Sequence, residues 1–174
     1  MTTAYIPLPP LAWYPADGTA GSAAAELAAV VTSDATDPQA RWFQWLFDAA
    51  TNEHIMTQFI MPGNYASAPV LKIYYKMASA TANDVLWGAT VMAVTDADAV
   101  DMDGDEFAAA NESAVTVPGT AGYLDTKTIT LTNADSVAAG DHVVLVCYRH
   151  ADDAADNATG DAEFMGADFE YTTT

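Results

Sequence analysis

Residues 126–149 read TKTITLTNADSVAAGDHVVLVCYR, two runs of β-branched and apolar residues on either side of a turn-forming stretch. Threonine, isoleucine and valine favour strands, whereas the Asn, Asp, Ser and Gly residues of positions 133–141 are typical of turns. The sequence therefore predicts a strand in each run, and a third strand after residue 159. This C-terminal third of the chain, Val117 to Tyr171, indicates the fold most clearly, and it contains no catalytic motif.

Upstream of this region, apolar and polar residues continue to alternate as they do in strands. Residues 41–48 place three aromatic side chains on one face, and residues 49–53 have the length of a hairpin loop. Residues 84–95 are apolar on both faces, which is typical of a central, covered strand. Residues 23–33 fit a helix or a strand, and we favour a strand. About eight or nine strands without a convincing long helix predict an all-β, antiparallel sandwich or barrel.

The N-terminal residues 1–22 combine four prolines with apolar and aromatic side chains. Because proline removes a backbone donor and favours an extended path, we predict an extended arm before a single β-sandwich domain of residues 23–174. The apolar side chains of the arm need a surface, either on their own domain or on a neighbouring subunit. The candidate interface residues of this arm are Tyr5, Ile6, Leu8, Leu11, Trp13 and Tyr14.

A second candidate interface lies on the strand predicted at residues 69–78. Alternation places Lys72, Tyr74 and Lys76 on one face of this strand, opposite an apolar face. Two of the five basic residues of the chain thus flank a tyrosine, an arrangement that suits contact with an acidic neighbour.

The charge balance limits the possible partners. The chain has 24 acidic and five basic residues, a formal net charge of −19. Such a surface repels phosphate backbones and anionic membranes, so we expect neither a nucleic-acid nor a membrane partner. No signal peptide begins the sequence and no stretch approaches the ~20 apolar residues of a membrane span, which predicts a soluble protein made in the cytoplasm. The single Cys147 lies in an apolar run, where we expect a buried, reduced thiol.

One acidic run, residues 96–106, invites a calcium interpretation because hard cations prefer several carboxylates on one loop. The candidate cation ligands are Asp101, Asp103 and Asp105. The EF-hand register fails, however, because Gly104 falls between the second and third acids and no glutamate closes the loop. A solvated loop is the favoured alternative, and no other cofactor is expected.

Catalytic patterns are missing from the sequence. The three histidines lack paired-ligand spacing, and no serine stands in a Gly-x-Ser-x-Gly elbow. There is no phosphate loop and no dinucleotide fingerprint. We therefore predict that the protein is not an enzyme. Four tryptophans and eight tyrosines could form a platform for stacking sugars, but aromatic residues at strand period favour a core position; the tryptophans are Trp13, Trp42, Trp45 and Trp87.

Several turn and strand segments between residues 40 and 171 resemble a family of tailed-phage virion proteins. The segments that carry the resemblance are 60–62, 78–88, 117–124, 131–135, 138–141 and 159–163. The family consists of jelly-roll β-sandwiches that serve as capsid decoration (cement) proteins or as tail-fibre and spike modules, and it has no catalytic residues to transfer. The Pro-rich residues 1–22 lie outside the match.

The resemblance implies a jelly-roll-like sandwich and a structural role. The main expectation is a capsid decoration protein that binds the outer capsid surface as an oligomer and stabilises the shell. Its partner would be the major capsid protein or another virion protein, its assembly a homotrimer and its location the virion. The alternative is a tail-fibre, spike or carbohydrate-binding module of a phage virion.

Overall fold

The computed structural model describes residues 1–18, 22–31, 39–96 and 101–174, with Val31 described by its backbone alone. These residues form twelve strands in two facing sheets. The described residues form no α-helix, and among them no helix is long and apolar enough to cross a membrane. The prediction of an all-β antiparallel sandwich is confirmed. The strand number exceeds the predicted eight or nine because residues 1–24 contribute three short strands.

The order of strands in each sheet differs from their order in the sequence. The first sheet contains β10 (Asp125–Thr130), β7 (Tyr65–Met77), β12 (Ala162–Thr173), β5 (Arg41–Phe47) and β4 (Glu26–Val31), with β1 (Thr3–Leu8) also paired to β12. The second sheet contains β2 (Tyr14–Ala16), β6 (Glu53–Ile60), β11 (His142–Arg149), β8 (Asp84–Val94) and β9 (Asn111–Thr116), with β3 (Ala23–Ala24) beside β6. All pairs described are antiparallel except the short β3–β6 pair.

The loop at residues 49–53 is not a hairpin, so that prediction is wrong. β5 pairs with β4 and β12 in the first sheet, whereas β6 pairs with β2, β3 and β11 in the second. Phe47 and Ile55 are both fully buried and belong to the same hydrophobic core. The loop therefore carries the chain from one sheet to the other, so that each strand fills the core from its own side.

Aromatic side chains from both sheets meet in this core. The Trp87 ring from β8 contacts Phe47 and Tyr75 edge-on, with ring centroids 5.1 and 5.6 Å apart. Such pairs contribute roughly 0.5–1.5 kcal/mol beyond the burial of their area. β8 lies between β11 and β9 and is buried on both faces over most of its length, as predicted for residues 84–95. Cys147 is a buried free thiol, as expected, and burial raises its pKa.

The Pro-rich start of the chain lies on its own domain. β1 pairs with β12 along its whole length, and β2 pairs with β6. Leu8 and Trp13 are each only 4% exposed, and the Trp13 ring contacts Phe164 edge-on at 5.2 Å. The Trp13 indole also donates a hydrogen bond to the Leu8 carbonyl oxygen over 3.1 Å. Of the two surfaces considered from the sequence, these side chains lie on that of their own chain.

A buried ion pair joins the end of β11 to the acidic loop at residues 152–157. The Arg149 guanidinium is fully buried and donates to both carboxylate oxygens of Asp156, over 2.9 and 2.8 Å. It also donates to the carbonyl oxygens of Ala158 and Gly160, and Asp156 accepts from the Leu86 backbone N–H over 3.0 Å. This carboxylate is therefore a structural anchor of the loop.

Candidate functional site

A cleft of about 420 Å³ opens on the outer face of the second sheet. Ligand sites in proteins typically have volumes of roughly 300–1,000 Å³ and combine apolar walls with a few polar groups. The residues around this cleft are Asp17, Gly18, Asn52, His54, Met56, Thr90, Phe107, Ala110, Glu112, Val146, Tyr148 and His150.

The pairing register of four neighbouring strands determines which residues form the floor of the cleft. Tyr148 on β11 stands opposite His54 on β6 and Gly88 on β8, and Gly88 stands opposite Glu112 on β9. These four residues form one row across the sheet. Since successive side chains of a strand point to opposite faces, the neighbouring Cys147 faces the core while Tyr148 faces outward.

The centre of the row is a stacked aromatic pair. The His54 imidazole lies almost parallel to the Tyr148 ring, with centroids 4.9 Å apart and planes 22° apart. The other neighbour of Tyr148 in the row is glycine. A Cβ atom at Gly88 would overlap the Tyr148 ring and lie 2.6 Å from its hydroxyl oxygen. The absence of a side chain at Gly88 therefore permits the close approach of the Tyr148 ring.

A chain of hydrogen bonds runs along the rim of the cleft. The Tyr148 hydroxyl donates to Glu112 Oε1 over 2.7 Å, and His150 Nδ1 lies 2.7 Å from the same oxygen. His150 Nε2 lies 3.2 Å from Asp152 Oδ1, and the Asn52 amide donates to that oxygen over 2.7 Å. Glu112 Oε2 makes no hydrogen bond to the described residues, so it can still accept one.

The environment of the stacked pair shifts both side chains towards their neutral forms. Burial lowers the pKa of His54 below its ordinary value. Burial, together with the hydrogen bond to Glu112, raises the pKa of Tyr148. The floor of the cleft is therefore uncharged at neutral pH, and its charge lies at the rim.

The lowered pKa of His54 predicts a loss of stability in mild acid. Below the ordinary histidine pKa of 6.5, the unfolded chain binds a proton that folded His54 does not. The neutral His54 ring therefore contributes to the stability of the fold above pH 6.5. That contribution is lost as the pH falls through the pKa of His54 in the folded state. Urea unfolding at a series of pH values should show a smaller loss between neutral pH and about pH 5 for His54→Gln than for the wild type. Equal pH dependence in the two proteins would contradict the assignment.

The second candidate interface is matched by acidic residues of the same chain. Lys76 forms an ion pair with Glu163, and Lys72 Nζ lies 4.0 Å from Glu170. The Tyr74 hydroxyl donates to Asp168 over 2.8 Å. All three acidic partners belong to β12, which pairs with β7. These side chains are thus paired with acidic residues of their own sheet, and an interface with a second molecule stays a prediction.

The candidate interface residues of the N-terminal segment divide into buried and exposed sets. Leu8 and Trp13 belong to the core, and Ile6 packs partly buried against it. Tyr5, Leu11 and Tyr14 are exposed. Leu8 also contributes, with Tyr74, to a shallow groove of about 310 Å³ on the first sheet.

The cation candidates lie in an exposed turn. Asp101 accepts a hydrogen bond from the Asp103 backbone N–H over 3.1 Å, in a single 3-10 turn at Met102–Gly104, and Asp105 follows that turn. Residues 97–100 of the same acidic run lie outside the described residues. Within residues 1–18, 22–31, 39–96 and 101–174, no three His, Cys, Asp or Glu side chains could together hold a metal ion. A calcium site here stays a prediction.

The tryptophans do not form a platform in the cleft. Trp13, Trp45 and Trp87 are buried in the core, and Trp42 is half-buried with its indole donating to Gln44. The aromatic residues of the cleft are instead Tyr148 and Phe107, neither of which sequence reasoning selected. The pattern that could have identified Tyr148 is the alternation of side chains within β11, which places Tyr148 on the face of the strand opposite Cys147.

No protein-family model matches the chain, and no curated protein sequence matches it. Solved structures do resemble it in fold. A carbohydrate-binding module specific for non-crystalline cellulose, CBM28, superposes with a TM-score of 0.50 at 11% sequence identity, over 92% of this chain and 89% of that one.

Two further structures resemble the chain more weakly. The carbohydrate-binding module TmCBM61, solved with β-1,4-galactotriose, has a TM-score of 0.42 at 10% identity, over 91% of this chain and 87% of that one. The enzymatically active domain of tailspike protein 4 from bacteriophage CBA120 has a TM-score of 0.38 at 9% identity, over 97% of this chain but 19% of that one. At 11% identity the CBM28 superposition indicates a shared β-sandwich fold and not a function.

Proposed function

We propose that the protein is a carbohydrate-binding module whose cleft on the second sheet holds an oligosaccharide. The observation that carries the proposal is the row formed by His54, Tyr148 and Glu112: an uncharged aromatic floor beside an oriented carboxylate. Sugars present both apolar C–H faces and hydroxyl groups. They therefore suit a site that joins aromatic surface to fixed hydrogen-bonding groups.

The polar groups of the rim match the hydroxyl groups of a sugar. Glu112 Oε2 supplies an acceptor at the rim of the cleft, and Met56, Val146 and Phe107 supply apolar surface. Because Glu112 Oε1 already accepts from Tyr148 and lies against His150, the carboxylate is held in one orientation. Such preorganisation lowers the entropy cost of binding. The proposal is of binding without a chemical step.

Carbohydrate binding was the alternative implied by the phage resemblance, and the cleft favours it over capsid decoration. Leu8 and Trp13 of the N-terminal segment are held in the core of their own domain, so they do not offer a surface for a neighbouring subunit. A location on the virion, a virion-protein partner and a homotrimer remain proposals. A tail-fibre or spike position would combine them with the recognition of glycans.

A glycan array followed by titration calorimetry tests the proposed function. We expect at least one class of oligosaccharide to bind, and we expect Tyr148→Ala to weaken that binding by about tenfold or more, since stacked aromatic contacts are worth on the order of 1 kcal/mol or more each. Tyr123→Ala is the matched control, because Tyr123 is 64% exposed and lies outside the cleft. An array without hits, or equal affinities for the two variants, would refute the proposal.

A further inference from the structure

We infer that the cleft on the second sheet selects sugars by charge: it accepts neutral and ammonium-bearing sugars and rejects uronic acids. This inference rests on the proposed carbohydrate-binding function and adds the class of sugar. The feature that supports it is the sign of the charges around the cleft, where carboxylates are present and lysine and arginine are not.

The carboxylates of the cleft stand on opposite sides of it. Asp17 follows β2 at one edge of the sheet, and Glu112 lies on β9 at the other. Asp152 adds a third carboxylate through its contact with His150. A ligand lying across the floor therefore has a negative charge near each end.

The five basic residues of the chain lie outside the cleft. Lys72 and Lys76 pair with acidic residues of β12, and Arg149 is buried against Asp156. Lys127 donates to the Ala114 carbonyl oxygen over 2.7 Å, and Arg41 begins β5 in the first sheet. None of the five lines the cleft, so none is placed to compensate the carboxylate of a uronic acid.

The histidines do not supply the missing positive charge. Burial lowers the pKa of His54 and keeps its ring neutral at neutral pH. His150 contacts Glu112 and Asp152, so a proton on its ring would be balanced by two carboxylates. The three carboxylates of Asp17, Glu112 and Asp152 therefore outnumber the single His150 ring around the cleft.

The consequence for a ligand follows from Coulomb's law. A uronate carboxylate within a few ångströms of Glu112 would be repelled, and no basic side chain would offset the free-energy cost of removing it from water. An ammonium group in the same position would gain a charge-assisted hydrogen bond to Glu112 Oε2 and a favourable approach to the exposed Phe107 ring. A neutral hydroxyl group would hydrogen-bond without either effect.

Three tetrasaccharides with one β-1,4-linked backbone test the inference by calorimetry at low salt: cellotetraose, its C6-carboxylated form and the corresponding glucosamine tetramer. We expect the glucosamine tetramer to bind about tenfold or more tighter than the carboxylated form, with cellotetraose between them and the difference shrinking at high salt. Carboxylated tetramer binding as tightly as cellotetraose would overturn the charge selection while leaving the proposed function intact. No binding by all three, together with an empty glycan array, would overturn both.

Two variants assign the selection to the cleft. Glu112→Gln keeps the shape of the side chain and removes its charge, and Asp17→Asn does the same at an exposed position. Each should narrow the affinity ratio between the glucosamine and carboxylated tetramers by a factor of about three or more. Asp103→Asn, which removes a charge from an exposed turn outside the cleft, should leave the ratio unchanged. An equal effect from all three variants would show that net charge, and not the cleft, sets the preference.

Discussion

Replacing Asp156 by asparagine is expected to lower the free energy of unfolding by about 3–5 kcal/mol, because breaking one partner of a buried ion pair leaves an uncompensated charge. Arg149 is fully buried, and Asp156 accepts both arms of its guanidinium. Asparagine keeps the size of the side chain but cannot accept with both atoms or balance the charge. In the wild type the Leu86 backbone N–H donates to Asp156 Oδ2. This hydrogen bond would also be lost only if the new asparagine turned its amide nitrogen, and not its oxygen, towards Leu86.

Urea denaturation followed by tryptophan fluorescence measures this effect, with Asp161→Asn as the matched control. Asp161 is exposed, and its side chain makes no hydrogen bond to the described residues. The control should change the stability by less than about 0.5 kcal/mol, as surface substitutions usually do. Loss of less than about 1 kcal/mol in Asp156→Asn would mean that solvent reaches Arg149 and that the pair is not buried in solution.

The same ion pair shows what local sequence cannot reveal. The loop at residues 152–157 is as acidic as a solvated loop, and nothing in its composition separates Asp156 from Asp152 or Asp153. The distinction depends on Arg149 having its side chain inside the sandwich at the end of β11. Period two predicts that Arg149 faces the core with Cys147, and a buried arginine requires a carboxylate partner. Which carboxylate pairs with Arg149 depends on the path of the loop, and the sequence does not show that path.

The sheets themselves were largely predictable, because they depend on alternation over five to ten residues. β11 occupies residues 142–149 as the sequence indicates, and β8 is covered on both faces. The pairing of the strands was less accessible. A five-residue loop after β5 permits a hairpin, but the demand for core-filling side chains from both sheets sends β6 to the opposite sheet.

The cleft lies beyond prediction from sequence for a related reason. Tyr148 and Glu112 are 36 residues apart, and Asn52 and Asp152 are 100 residues apart. Only the register of β6, β11, β8 and β9 brings these residues into one row and one rim. Three scattered histidines without ligand spacing gave no reason to join His54 to His150. Once the register is known, the aromatic floor and the acidic rim follow directly.

Placing a methyl group under the Tyr148 ring is expected to destabilise the fold and to disable the cleft together. In Gly88→Ala the new Cβ overlaps the ring, so Tyr148 must leave its stack with His54 and its hydrogen bond to Glu112. Overpacking of this kind costs typically about 1–3 kcal/mol. Because the displaced ring occupies the space of the ligand, we expect glycan affinity to fall by about tenfold or more, the same loss as in Tyr148→Ala.

A double-mutant cycle separates this mechanism from a general cost of replacing glycine. If the clash with Tyr148 is the cause, Gly88→Ala should cost little stability in a Tyr148→Ala background, with a coupling energy of about 1–3 kcal/mol measured by urea unfolding. Gly119→Ala is the control, since no atom lies within 4 Å of a Cβ built there, and it should change the stability by less than about 0.5 kcal/mol. Additive costs in the cycle would show that β8 itself resists a side chain at residue 88. The stacked floor of the cleft would then not depend on the glycine beside it.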